Sequence, residues 1–211
     1  MFENLEKFGV IPVVAVETVD DGLNLCEALV AGGLAAMEIT FRTPAAADVI
    51  CEVRKKFPDV VVGAGTILTP DELNRAVDSG AVFGVAPGCN PTIVEAAQAA
   101  GFAFAPGVCT PSDVERALEL GVTELKFFPA GAAGGVPMLK ALAGPYGHRN
   151  VTFCPTGGVK AENMADYLTL PYVPVVGGTW LAPKNLIKNG DWEKITLLAK
   201  TAMEKVAELR G

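Results

Sequence analysis

Short apolar, β-branched runs alternate with segments of helical periodicity along almost the whole chain, and this alternation limits the architecture more than any other feature. The runs are Ile11 to Val16, Ala35 to Phe41, Val60 to Ala64, Val82 to Ala86, Phe102 to Ala105, Thr123 to Phe128, Val151 to Cys154 and Val173 to Val176. Each is too short for a buried helix and rich enough in branched side chains for a buried strand. Between and after them lie candidate helices at Asp20 to Leu29, Pro44 to Lys55, Pro70 to Asp78, Pro91 to Ala100, Pro111 to Leu120, Val136 to Ala143, Ala161 to Leu168 and Trp192 to Leu209. Proline suits several of these starts, because the first helical turn needs no backbone donor. Glycine ends others, in Ala31-Gly32-Gly33, Asp78-Ser79-Gly80 and Ala99-Ala100-Gly101.

Strand followed by helix, repeated at roughly 25-residue intervals, predicts a (β/α)8 barrel of the TIM type, with a doubly wound open sheet as the alternative. No linker or shift in composition divides the 211 residues, so a single domain over 1–211 is expected. In such a barrel the chemistry sits where strands end and βα loops begin. Candidate functional residues should therefore cluster at strand exits.

The segment Glu124 to Ala130, ELKFFPA, places a lysine inside an apolar strand. Burying an ammonium is costly unless it is paired, and desolvation favours the neutral, nucleophilic amine. Lys126 is thus a candidate nucleophile. A purely structural reading pairs it with Glu124, which shares its strand face. The segment Met37 to Thr43, MEITFRT, puts Glu38, Thr40 and Arg42 on one face and Met37, Ile39 and Phe41 on the other. Polar groups aimed into a core must serve one another or a ligand. Either Glu38 and Arg42 form a buried ion pair, or they join Lys126 in a keto-acid site.

Other strand exits are rich in small residues. The third reads Gly63-Ala64-Gly65-Thr66 and the fourth Ala86-Pro87-Gly88-Cys89, with Thr66 suited to hold a carboxylate or keto oxygen and Pro87 at the loop start. Pro155-Thr156-Gly157-Gly158 follows the seventh run, and Gly177-Gly178-Thr179 follows the eighth. Barrels often bind phosphate through backbone N–H groups of these two loops, and hydroxyls of Thr156 and Thr179 can add donors. Tight turns are the bland alternative for each pair.

Composition excludes several partners and chemistries. The formal charge is −7, without basic runs, so neither nucleic acid nor an anionic membrane is an expected partner. An anionic small substrate would need local positive charge and backbone donors. Half the residues are hydrophobic, yet no apolar run reaches the roughly 18 residues of a membrane span. Val10 to Val16 leads into Glu17, Asp20 and Asp21, not into a cleavage site, so no export signal is expected. Five scattered cysteines, at 26, 51, 89, 109 and 154, fit a reduced, cytoplasmic protein. His148 is the only histidine and lies in a polar loop, which leaves no histidine-based metal site, serine triad or histidine-paired cysteine. Cys154 reads as a small buried hydrophobe.

The motifs GVIPVVAV, ALVAGGL, MEITFRT, VVGAGTILTP, APG, ELKFFPA, FCPTGGV and GGTWLAP, in that order between about Gly9 and Lys200, resemble the bacterial 2-keto-3-deoxy-6-phosphogluconate (KDPG) and 4-hydroxy-2-oxoglutarate (KHG) aldolases. The resemblance implies a class I, metal-independent, cofactor-free aldolase on a (β/α)8 barrel, usually a homotrimer. It cleaves a phosphorylated 2-keto-3-deoxy sugar acid to pyruvate and glyceraldehyde 3-phosphate. By the same resemblance Lys126 forms the Schiff base, Glu38 shuttles protons, Arg42 and Thr66 hold the pyruvyl carboxylate, and Gly157, Gly158, Gly178 and Thr179 hold phosphate. The family tends to have serine where Thr179 stands, which keeps the hydroxyl and adds a methyl. Three rivals follow: an aldolase for the C4 epimer, whose group tends to lack an arginine at the position of Arg42; a phosphosugar isomerase or epimerase with Glu38 as base; and a phosphate-ligand binder in which Lys126 is structural.

Overall fold

The computed structural model describes residues 1–211. Its elements, in order, are α1 (Phe2–Glu6), β1 (Val10–Val14), α2 (Val19–Ala31), β2 (Ala36–Thr40), α3 (Ala46–Lys56), β3 (Val61–Gly65), α4 (Pro70–Asp78), β4 (Phe83–Val85), α5 (Pro91–Ala99), β5 (Phe104–Ala105), β6 (Gly107–Val108), α6 (Pro111–Glu119), β7 (Glu124–Phe127), α7 (Gly135–Ala143), a 3-10 turn (Gly144–Arg149), β8 (Thr152–Pro155), α8 (Met164–Leu168), β9 (Val176–Gly178), α9 (Lys184–Asn189) and α10 (Trp192–Arg210). Every strand pairing is parallel. This is the α/β alternation expected from the sequence.

The ladders form two sheets: six strands in the order β5-β4-β3-β2-β1-β9, and three in the order β6-β7-β8. One chain segment serves both. Phe104 and Ala105 pair with β4, and Gly107 and Val108 pair with β7. Pro106 stands between, without an N–H to give to either ladder. At the other junction, Thr156 bridges Gly177 in parallel, linking the end of β8 to β9. The sequence pattern placed the fifth strand at Phe102 to Ala105; the extended segment instead starts two residues later and continues past the proline to Val108.

The eighth apolar run is also displaced. Val173 to Val176 reads as the strand, but only Val176 is in it, and the ladder to β1 runs through Gly177 and Gly178, opposite Ile11 and Pro12. Pro174 cannot donate to a ladder, so pairing begins after it. Gly177 and Gly178, expected in the loop, therefore belong to β9. Three helical segments, α1, the 3-10 turn and α9, carry no strong periodic signal. Ile187 alone is buried in α9, and α1 holds only five residues, of which Phe2 and Leu5 are buried.

Helix starts are set by local chemistry. Thr69 and Thr110 accept hydrogen bonds from the N–H of Glu72 and Asp113 in reciprocal capping boxes, and proline follows each cap. Asn90 caps α5, again ahead of a proline. The outward faces of the strands pack on the helices: Met37 and Ile39 of β2, Val62 of β3, Leu125 and Phe127 of β7 and Phe153 of β8 are fully buried in one core. That core holds the strand exits still. No helix is long and apolar enough to cross a membrane.

Gly22 shows how tightly the helix layer packs. It lies inside α2, where alanine is intrinsically about 1 kcal/mol better. A Cβ there, however, would stand 2.3 Å from Cγ1 of the fully buried Val49 on α3. Valine is stiff at χ1, and overpacking of this kind costs about 1–3 kcal/mol, so sterics outweigh propensity. Gly22→Ala should lower unfolding stability in urea, and in a Val49→Ala background the same change should stabilise. A stabilising effect in the parent chain would show that α2 and α3 can part at little cost.

Candidate active site

Alternation in β7 turns Leu125 and Phe127 into the helix layer and Lys126 the other way, where it is 5% exposed. In β2 the same rule turns Glu38 and Thr40 inward, at 3% and 1% exposure. The two strands lie in different sheets, yet Nζ of Lys126 donates to both Glu38 oxygens, at 3.0 Å to Oε1 and 3.2 Å to Oε2. This pairing replaces both structural alternatives drawn from the sequence. Glu124 faces the opposite end of the strand, where it accepts from the N–H of Phe2 at 2.7 Å and pairs with the N-terminal ammonium at 2.9 Å. Arg42 turns to Thr40, not to Glu38.

That turn is held by a hydroxyl relay. Thr40 Oγ1 donates to the carbonyl of Val14 at 2.9 Å and accepts from Nε of Arg42 at 3.0 Å. Arg42 lies past the end of β2 and is exposed, so the relay fixes a side chain that would otherwise be free. Its Nη groups remain available as a fork for a carboxylate. Two strand glycines leave room for neighbouring side chains, one for the Glu38 carboxylate and one for a ring. A Cβ on Gly65 would fall 2.0 Å from Glu38 Oε1, and the ring of Phe83 fills the space beside Gly63.

Thr66 follows Gly65 with φ +61°. A β-branched residue in the left-handed region costs about 1–2 kcal/mol, so the loop imposes this backbone to aim Thr66 at the strand exits. Across the opening, Gly157 and Gly158 are both left-handed. Added Cβ atoms would press within 3.1 Å of the Phe128 ring and 3.0 Å of Gly131 Cα. Asn163 holds this loop, donating from Nδ2 to the Gly158 carbonyl at 3.1 Å and accepting from the Lys160 N–H at 2.8 Å. In β9, side chains of Thr156 and Trp180 occupy the positions that Cβ atoms of Gly177 and Gly178 would need.

All ten residues proposed from the sequence line one cavity of about 240 Å³: Lys126, Glu38, Arg42, Thr66, Pro87, Thr156, Gly157, Gly158, Gly178 and Thr179. Space of this size suits one small ligand, reached by polar groups at both ends. Val13, Thr40, Phe128 and Val159 complete the wall. Of these, Phe128 shares strand parity with Lys126, a signal sufficient to find it. Nothing in the sequence pattern marks Asn163. Cys154, expected to be a buried hydrophobe, is opposite Lys126 in the ladder. Its thiol is pushed up to about 12 by burial, against the opposing pull of the Lys126 charge. No group of three or more His, Cys, Asp or Glu side chains is placed to hold a metal ion.

The chain is similar in sequence and fold to known aldolases. The model of the KDPG and KHG aldolases matches residues 1–198. The 2-dehydro-3-deoxy-phosphogluconate aldolase of Treponema pallidum is 43% identical over 98% of this chain and 97% of its own. The KHG/KDPG aldolase of Escherichia coli K12 is 41% identical over 92% and 91%. A crystal structure of the Legionella pneumophila KDPG aldolase, with pyruvate captured as a covalent carbinolamine, superposes with a TM-score of 0.88 at 42% identity, covering 93% of this chain and 96% of that one. By sequence and fold, the protein is therefore an aldolase. It belongs to the KDPG and KHG aldolase family.

The relay through Thr40 gives a direct test of the site's architecture. Thr40→Val keeps the branched shape but leaves the buried Val14 carbonyl without its hydroxyl donor, a loss of about 1–3 kcal/mol. Urea unfolding should show that loss for Thr40→Val and near parental stability for Thr40→Ser. Equal stability of valine and parent would remove the relay as a structural element.

Proposed function

We propose that the chain cleaves 2-keto-3-deoxy-6-phosphogluconate reversibly to pyruvate and glyceraldehyde 3-phosphate, and 4-hydroxy-2-oxoglutarate to pyruvate and glyoxylate, through an imine on Lys126. The observation that carries this is the contact of Lys126 Nζ with both oxygens of Glu38 inside the strand layer. A carboxylate at that distance can take a proton from the amine and return it to each intermediate in turn. The names of the relatives support the choice of substrate.

In the reaction, Glu38 takes a proton from the Lys126 ammonium, and the neutral Nζ attacks the C2 carbonyl. One amine proton moves to the former carbonyl oxygen to give the carbinolamine, and the proton held by Glu38 then converts that hydroxyl to water, which leaves. The protonated imine withdraws electrons from C3. Glu38, now ionised, takes the C4 hydroxyl proton as the C3–C4 bond breaks. Glyceraldehyde 3-phosphate leaves, and the bonding pair remains as an enamine. Protonation at C3 and hydrolysis by water release pyruvate and restore the amine. The Nη fork of Arg42, with Thr66, holds the substrate carboxylate. Backbone donors of the Gly157-Gly158 and Gly178-Thr179 loops take the phosphate, so that both ends fix the scissile bond over the lysine. Every step is served by side chains of this chain, and the proposal assigns no cofactor.

The closed (β/α)8 barrel belongs to this reading. Phe104 to Val108 spans both sheets, and the bridge from Thr156 to Gly177 supports closure on the other side. A single domain and a cytoplasmic setting, both expected from the sequence, belong to the same reading, as does the homotrimer that the family resemblance implies.

Borohydride with pyruvate should fix a reduced adduct on Lys126, and Lys126→Ala should abolish it by mass spectrometry; an adduct persisting on another lysine would falsify the assignment. Glu38→Gln keeps the side-chain shape and one of the two acceptor oxygens but cannot cycle a proton. Its kcat should fall by about 10²–10⁴-fold with a much smaller change in KM, and near parental turnover would remove Glu38 from the proton path.

A further inference from the structure

A second cavity opens beside the first. It shares the wall residues Val13, Arg42 and Thr179 with the catalytic cavity, and its far side carries Glu17 and Lys184. Glu17 follows β1 and Lys184 begins α9 after β9, so adjacent strands present both side chains at the same exits. Nζ of Lys184 stands 3.7 Å from Glu17 Oε1, with the side chains 79% and 62% exposed. An ion pair this loose and this solvated is held too weakly to resist exchange.

The catalytic cavity has a charge deficit at its phosphate end. Its wall holds two cations, Lys126 and Arg42. The first forms the imine and the second holds the carboxylate in the mechanism above. The phosphate loops offer N–H groups and hydroxyls without a formal positive charge, in a chain whose net charge is −7. Lys160 follows the wall residue Val159 but lines neither cavity. Lys184, beyond the shared residue Thr179, is the cation placed to answer a phosphate there.

Resting on the proposed function, we infer that Lys184 determines specificity for phosphorylated aldehydes: it exchanges Glu17 for the substrate phosphate, and Glu17 occupies it in the free enzyme. The exchange adds a charge-assisted contact only for the phosphorylated substrate. It also supplies attraction that salt screens.

The test runs the reaction in the condensation direction, with pyruvate and either glyceraldehyde 3-phosphate or glyceraldehyde. Lys184→Gln should raise KM for the phosphorylated aldehyde about 3–10-fold at unchanged kcat, and leave both constants for glyceraldehyde unaltered. Lys184→Arg should restore the phosphorylated KM. Glu17→Gln should lower it about 2-fold. Added salt should narrow the gap between parent and Lys184→Gln. Equal shifts for both aldehydes, or none, would overturn the role of Lys184 while pyruvate is still trapped on Lys126. Loss of trapping in the parent would instead overturn the aldolase reading and this one with it.

Discussion

The buried pair of Lys126 and Glu38 is the constraint that the rest of the site answers to. Removing either partner leaves an uncompensated charge in the core, and even an intact pair is weak evidence for stability because both ions are desolvated. A fold selected for stability alone does better with apolar residues at these two positions. The surrounding structure accordingly makes space for the pair at the expense of its own packing. Gly65 gives up a side chain where Glu38 Oε1 sits, and Gly63 gives up one to the Phe83 ring that supports the same strand. Thr66 holds a strained backbone next to them.

Rigidity comes from the other face of the same strands. Met37, Ile39, Leu125, Phe127 and Phe153 are fully buried against the helices, so the polar inner face is carried on backbone that cannot relax toward it. Period-2 alternation couples the two: slipping either strand by one residue would exchange Lys126 for Leu125 or Phe127, and Glu38 for Met37 or Ile39. The apolar residues thus fix the register that brings the catalytic groups within 3.0 Å of each other. Stability and chemistry are written on alternate positions of the same short segments.

That division explains what the sequence discloses. Alternation and apolar runs locate seven of the strands, and cap chemistry predicts α4 with its observed bounds, because Thr69, Pro70 and Glu72 act within four residues of one another. Prolines that interrupt or precede a strand are where local reading fails: Pro106 divides one extended segment between two ladders, and Pro174 moves the last strand onto glycines. For Lys126 the sequence leaves two readings open, a structural pair with Glu124 or a shared site with Glu38. Local parity offered Glu124, two residues away, whereas the true partner lies 88 residues off on another strand. The ten residues proposed from the sequence nonetheless line one cavity, since glycine, threonine and charge at strand exits are conspicuous without any knowledge of which side chain meets which. Thr40 is visible as a polar residue on the inner face and acts by holding Arg42, whereas Asn163 acts through contacts that no residue pattern records.

The neighbour of the lysine accounts for the choice of nucleophile. Cys154 is paired with Lys126 in the ladder and 6% exposed, so a second nucleophilic residue lies on the strand next to the lysine, although it does not line the cavity. Thiolate, not thiol, is the reactive form of cysteine, and burial pushes this thiol up to about 12. Near pH 7 its ionised fraction is therefore on the order of 10⁻⁵. The difference matters chemically, because sulfur added to a ketone gives a neutral adduct that cannot accept the electrons of the breaking C3–C4 bond. Nitrogen can, as the protonated imine. Glu38 contacts the amine directly and raises the thiol further, so in the proposed mechanism a single carboxylate activates the useful nucleophile and helps to silence the other.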